Sequence, residues 1–266
     1  MLNVKKTSLI LIFILIGEIS FFGYQASIRQ KLFLELKPVQ LKNCNFKRFG
    51  DPDDGGYLMC DNLMQNVKSA YSYGISGTDE WGCDISKSYN LLVHEYDCFN
   101  LTRPVCENGN FVFHEECIGD KYFIEEERTF DSLNNQITKN KDQGKLLIVK
   151  MDIEGAEWDS ILSTPDSALN VINQLSVEFH GVDQKKYIDV IKKLKKDFYI
   201  VDVHFNNYAC DDGIIYNKLF PFPAWAYEVL FVNKRVGILD ETAPTPQQNP
   251  LSAPNDPKRK DCQAKF

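Results

Sequence analysis

Four consecutive apolar residues, Leu146, Leu147, Ile148 and Val149, lead directly into a knot of acids, so that Leu146 to Asp159 reads LLIVKMDIEGAEWD. A short continuous apolar run of this kind is the pattern of a strand covered on both faces, as in a parallel sheet. Gly155 permits a sharp turn, and Ala156, Trp158, Ile161 and Leu162 continue at helical spacing. The stretch therefore reads strand, acidic loop, helix. In open α/β sheets ligands bind just beyond the carboxyl ends of the strands, which is where Asp152 and Glu154 fall. Glu157 and Asp159 lie in the first helical turn, where acids also complement the helix dipole.

The remaining segments repeat this alternation. FGDPDDGGYLMC, Phe49 to Cys60, contains a tight turn at Asp53 to Gly56 that serves equally as a hairpin or as a close backbone approach to a ligand. Ala70 to Ile75 reads as a strand running into Gly74-Ile75-Ser76-Gly77, and a helix begins near Trp81 with Ile85 and Tyr89 on the same face. Leu91 to Tyr96 is a second strand ending in Asp97, about 20 residues beyond the glycines, where a ribose-binding acid belongs in a nucleotide-binding βαβ unit.

A strand at Phe111 to His114 and a helix over Thr129 to Lys141, with Phe130, Leu133 and Ile137 inward, lead to the Leu146 strand. Further strands are read at Leu175 to Phe179, Tyr199 to Val203 and Tyr227 to Val232, with a helix over Gln184 to Asp197. Glu178 and His180, two apart, share one face of their strand, and His204 closes the next. Lys192, Lys193, Lys195 and Lys196 form the solvated side of the Gln184 helix. The fold predicted is a single layered α/β domain over 49–239. Residues 29–48 read as a short stem or entry segment, and the proline-bearing polar segment 240–266 as a disordered tail.

A net charge of -7 and a pI near 5.2 argue against a nucleic-acid groove, which needs clustered Lys and Arg. Lys5 and Lys6 precede an apolar stretch from Leu9 to Ile16 that continues with interruptions to Tyr24, so 1–28 is a signal peptide or a signal anchor. As a membrane span it carries Glu18, at a cost of about 2.5 to 3.5 kcal/mol if central. Both readings send the rest into the secretory pathway, secreted or membrane-anchored, and eight cysteines agree. None forms a CxxC pair, so no zinc site is expected. The sequon Asn100-Leu101-Thr102 is a candidate glycan acceptor.

DGGYLM at Asp54 to Met59, AYSYGISG at Ala70 to Gly77 and above all VKMDIEGAEWD at Val149 to Asp159 resemble the Rossmann-like, S-adenosylmethionine-dependent methyltransferases, in particular the FkbM-like branch and its animal methyltransferase-like neighbours. FDSL at Phe130 to Leu133, VEFHG at Val177 to Gly181, HFNNY and WAYEVLFVNK support it, and together they cover about Phe49 to Lys234. The resemblance implies a doubly wound, mostly parallel seven-stranded sheet with an antiparallel last strand. It implies S-adenosylmethionine over the first two strand ends, with Gly74, Ser76 and Gly77 at its methionine part, Asp97 on the ribose and Asp152 toward the methyl donor.

Methyl transfer requires alignment of a nucleophile and, for a hydroxyl, removal of its proton. His180 is the first candidate base, followed by His204, Glu178 and Glu154. The methyl acceptor is not specified by the sequence. The strand-end acids offer oxygen ligands to a divalent cation, but their spacing does not require one. Two alternatives stay open: a lumenal glycosyltransferase using Asp51-Pro52-Asp53 with a nucleotide sugar, and a non-catalytic secreted protein with a methyltransferase fold.

Overall fold

The computed structural model describes residues 23–208, 210, 222–263 and 266. Most of the apolar leader therefore lies outside the described residues, and among these no helix is long and apolar enough to cross a membrane. Strands form a hairpin, β1 (Phe46–Phe49) with β2 (Tyr57–Cys60), and a principal sheet. That sheet contains β3 (Val67–Tyr73), β4 (Leu92–Tyr96), β5 (Asn110–His114), β9 (Leu146–Asp152), β10 (Ile172–His180), β11 (Phe198–Phe205) and β12 (Ala226–Asn233). A small sheet holds β6 (Cys117–Gly119), β7 (Phe123–Glu125) and β8 (Arg128–Ser132).

The seven strands lie in the order β11-β12-β10-β9-β3-β4-β5. All neighbouring pairs are parallel except those made by β12, which runs antiparallel to both β10 and β11. This is a Rossmann-like α/β sheet, as the sequence predicts. The strand order reverses between β3 and β9, which opens the crevice where such folds bind ligands.

Helices cover both faces. A helix over residues 23–35 (α1), α3 (Leu133–Lys139), α4 (Glu157–Ser163) and α6 (Lys185–Asp197) share one core with the sheet, and a four-residue helix, α5 (Asp166–Leu169), adds Leu169 to it. Trp158, Ile161, Tyr187, Ile191 and Leu194 fill that side. On the other side α2 (Glu80–Tyr89) and the β1-β2 hairpin bury Trp81, Ile85, Phe49 and Met59 against Ala70, Val93 and Ile148.

Four disulfides close the described chain: Cys44–Cys60, Cys83–Cys106, Cys98–Cys117 and Cys210–Cys262. They mark a protein of an oxidising, extracellular or secretory compartment.

Three sequence expectations are corrected. Residues 29–48 are no detached stem, because Ile28, Leu32, Phe33 and Leu36 form a helical stripe in the main core, with Phe33 stacked 4.5 Å from Phe266. The expected helix over Thr129 to Lys141 begins only at Leu133. Phe130 pairs in β8 with Phe123 of β7, their rings 4.5 Å apart, and Ser132 caps the helix by accepting from Asn135 N. The spacing of Phe130, Leu133 and Ile137 fits a strand-to-helix junction as well as one helix. The 240–266 segment has no helix or strand among its described residues, yet it is fastened by single polar side chains. Asn255 is buried between Asp54 and Glu228, Asp261 meets His204, and Cys262 is bonded to Cys210.

Candidate functional site

Four ionisable residues stand in register across four strands: Asp152 on β9, Glu178 on β10, Glu228 on β12 and His204 on β11. Register partners share a sheet face, so the pairing alone aligns these side chains in one transverse row. Each has a donor or counter-ion. Tyr57 Oη donates to Asp152 Oδ2 at 3.0 Å, Asn206 Nδ2 to Glu178 Oε1 at 2.7 Å, and Asn255 Nδ2 to Glu228 Oε1 at 3.1 Å. His204 Nε2 lies 3.1 Å from Asp261 Oδ1 and its Nδ1 3.7 Å from Glu228 Oε2.

Burial pushes the Glu178 carboxyl well above the usual range, and the charges of Asp152 and Glu228 push it further. Burial likewise raises Asp152, opposed by Lys150 and His180. Burial alone would lower His204, but the bond to Asp261 and the nearby Glu228 carboxylate outweigh it and raise that imidazole to about 10.

His180 ends β10 on the face it shares with Glu178. Its Nδ1 is 3.0 Å from Oε1 of Glu157, a fully buried carboxylate that also accepts Ile153 N at 3.0 Å and Gly155 N at 3.1 Å. Glu157 thus draws the acidic loop and the imidazole together. The Trp158 indole N–H donates to the His180 carbonyl at 2.7 Å and fixes the strand end. His180 Nε2 faces Glu154 Oε2 at 3.4 Å and Glu178 Oε1 at 3.9 Å. Burial opposes the charge on His180, yet the Glu157 bond and the surrounding carboxylates raise it to about 9. Trp225, more than half exposed, places its ring 5.7 Å from the imidazole.

On the other side of the crevice, Gly74 and Gly77 take positive φ values of 71° and 88°, and Ser76 one of 49°. A Cβ on Gly74 would collide with the Asp152 carbonyl, so only glycine lets the β3 end lie flush against the β9 end. Lys150 Nζ reaches across to donate to the Gly74 carbonyl at 2.9 Å. Asp97 accepts Ser76 N at 2.9 Å on one oxygen, and Phe99 N at 2.8 Å and Asn100 N at 3.0 Å on the other. It is the clasp of the glycine loop, and a ribose hydroxyl at Asp97 would have to share an oxygen with a backbone amide. The sequon's Asn100 donates its Nδ2 to the Ser76 carbonyl at 2.7 Å, a commitment that competes with glycan attachment.

Beneath that loop, Glu95 and Ser72 stand side by side, and Asp79 caps α2 by accepting from Gly82 N. Burial, then the Asp79 charge, raises Glu95 to about 9, and neither of its carboxyl oxygens has a hydrogen-bond partner among the described residues.

The structure thus brings Asp152, Glu154, Glu178 and His180 together and sets Gly74, Ser76, Gly77 and Asp97 beside them. His204 shares the row but lies beyond the whole width of β12, engaged by Asp261 and Glu228. As a base it is displaced from the group, and its raised affinity for a proton disfavours that role at neutral pH. The same holds for His180. Glu178 is set back from the opening for a different reason: it is buried, and burial with the charges of Asp152 and Glu228 raises its carboxyl well above the usual range. Glu154, whose side chain is 82% exposed, remains the open carboxylate of the four candidates.

Glu157, Tyr57, Asn206 and Glu228 were not singled out as site residues by sequence. All four fall inside quoted motifs, Tyr57 in DGGYLM, Glu157 in VKMDIEGAEWD, Asn206 in HFNNY and Glu228 in WAYEVLFVNK, so the motifs were the signal. Asp51 and Asp53 sit in the β1-β2 hairpin loop, where Arg48 donates to their backbone carbonyls. No family model matches the chain, and no curated protein or solved structure does either.

Proposed function

We propose that this chain is an S-adenosylmethionine-dependent methyltransferase of the secretory pathway, of the FkbM-like kind, acting on an oxygen of its acceptor. Its leader either anchors it in the membrane or is removed on secretion. The observation that carries this reading is the glycine loop at the point of strand-order reversal, clasped by Asp97 and pressed against the Asp152 backbone. The cofactor would be held by the turn Gly74 to Gly77, whose positive-φ glycines bring it against the Asp152 carbonyl and the Asn100 side chain, and by Asp152 at the adjoining strand end. When bound, the cofactor supplies an electrophilic methyl group on a sulfonium.

The chain's own part is alignment and proton management. Asp152, held by Tyr57, faces the crevice between the two halves of the sheet. The acceptor hydroxyl loses its proton to Glu154, the exposed carboxylate beside His180. Protonated His180, fixed by Glu157, stabilises the carboxylates around it and orients Glu154. Trp225, exposed next to the imidazole, offers the acceptor an apolar ring face.

Isothermal calorimetry on the intact, oxidised protein tests the reading. S-adenosylmethionine is expected to bind saturably at about micromolar concentration. Binding of a nucleotide sugar with no response to S-adenosylmethionine would replace this function with glycosyl transfer. Silence to both would leave a non-catalytic protein with the fold.

A further inference from the structure

Asp152 at the end of β9, Glu154 in the following loop and His180 at the end of β10 each present one ligand atom, all within 4.8 Å of one another. Two oxygens and one imidazole nitrogen, with the exposed Glu154 leaving the outer side open, form a mixed donor set. Carboxylates suit Mg²⁺, Ca²⁺ and Mn²⁺, whereas imidazole suits transition ions, so the combination selects an ion of the Mn²⁺ type.

An acidic cluster alone would say little, but His180 carries an independent observation. Its side chain is 9% exposed, and Nε2 makes no hydrogen bond among the described residues while facing the carboxylates. Its other nitrogen is tied to Glu157, which is fully buried. A histidine whose far nitrogen is fixed by a carboxylate, with the near one turned to open ligands, is the usual arrangement behind a metal-bound imidazole. The surroundings point the same way: Glu178 stands 3.9 Å from Nε2, and a dication relieves the repulsion of carboxylates gathered around a single imidazole.

We propose that Asp152, Glu154 and His180 bind a divalent cation of the Mn²⁺ class, with Glu157 positioning the histidine. Bond lengths of about 2.0 to 2.2 Å require the three atoms to close in slightly, which rotation of the exposed Glu154 side chain supplies. Binding the ion displaces the Nε2 proton of His180 and engages Glu154, so the proton arrangement described above is that of the ion-free chain; the site stands on these side chains alone, whether or not the chain transfers methyl groups.

The probe is Mn²⁺ itself, titrated into chelator-treated full-length protein and followed by loss of the free-ion paramagnetic resonance signal. One ion per chain is expected to bind with a dissociation constant below about 1 mM, and a nitrogen coupling from His180 should appear in the pulsed spectrum. Glu154→Gln, at an exposed position, should keep the melting temperature and weaken Mn²⁺ by at least about tenfold. His180→Asn should abolish the nitrogen coupling. Absence of saturable binding in the wild-type protein overturns the site and leaves a protonated His180 bridging Glu157 and Glu154. Unchanged affinity in folded Glu154→Gln overturns it as well.

Discussion

The two halves of the crevice solve the problem of a buried acid in opposite ways. On the β3-β4 side, Asp97 is saturated by three backbone amides, so its charge is absorbed into loop structure. On the β9-β10-β12-β11 side, Asp152, Glu178 and Glu228 are packed in adjacent register positions, with Tyr57, Asn206 and Asn255 supplying one donor each. The first half fastens its loop through Asp97, and a strongly perturbed acid, Glu95, lies beneath that loop. The second is crowded with acids that His180 and His204 only partly offset, and ground-state crowding of this sort is where reactive chemistry or ion binding is found.

The largest effect that tests this contrast is Asp97→Ala. It strands three amides of the glycine loop, and a loss of about 3 kcal/mol in urea unfolding is expected, together with loss of cofactor affinity. A variant of unchanged stability would break the comparison, because Asp97 would then be no clasp.

Next comes Asp261→Asn, which removes the partner of His204 in the second half. A loss of about 2 kcal/mol at pH 7 is expected. Because the folded His204 is raised to about 10, its stabilisation is full below the ordinary histidine range near 6.5 and fades as pH climbs through 10. The penalty of the variant should therefore shrink toward pH 10, measured as the difference in unfolding free energy along a pH series. A penalty independent of pH would show that Asp261 acts through packing of the tail alone.

At pH 7 and below the mildest test concerns Glu95, the buried acid beneath the glycine loop. A carboxyl raised to about 9 favours the fold at acid pH and loses that contribution as pH rises from about 4.5 to 9. Glu95→Gln keeps the side chain's size and removes the ionisable group. It should match wild type near pH 5 and exceed it by a margin that grows with pH until about 9, read as the difference in unfolding free energy along a pH series. Destabilisation at pH 8 would mean that the carboxyl is ionised there and used.

The sheet was legible because its strands are apolar runs of the right length and its acids fall where those runs stop. The Leu146 run became β9, and α4 spans Glu157 to Ser163 as the periodicity indicates. Gly74 and Asp97 were paired by spacing alone, and the structure joins them through Ser76. What escaped was structure made by long-range single contacts. Glu157 reads as an ordinary helix-start acid until burial against His180 is seen. The tail carries no period, since its hold on the domain lies in Asn255, Asp261 and one disulfide across 52 residues. Ile28, Leu32 and Phe33 were masked by the apolar leader they adjoin, because hydrophobicity cannot say whether a side chain meets lipid or core.

The last strand in sequence is an inner strand in space, and this dictates when the molecule can be completed. β10 and β11 never pair with each other; Ala226–Asn233 must enter between them, hydrogen-bonding on both sides. During synthesis and translocation the sheet therefore waits with an open slot while the chain that fills it is still emerging. Glu178 and His204 flank that slot, so the charged row does not exist in any nascent form of the protein. A chain stopped before Ala226 would display two bare strand edges side by side, which are templates for aggregation and targets for chaperones. Completion of the sheet, and of the charged row it carries, is thereby tied to one late event, the insertion of a single eight-residue strand.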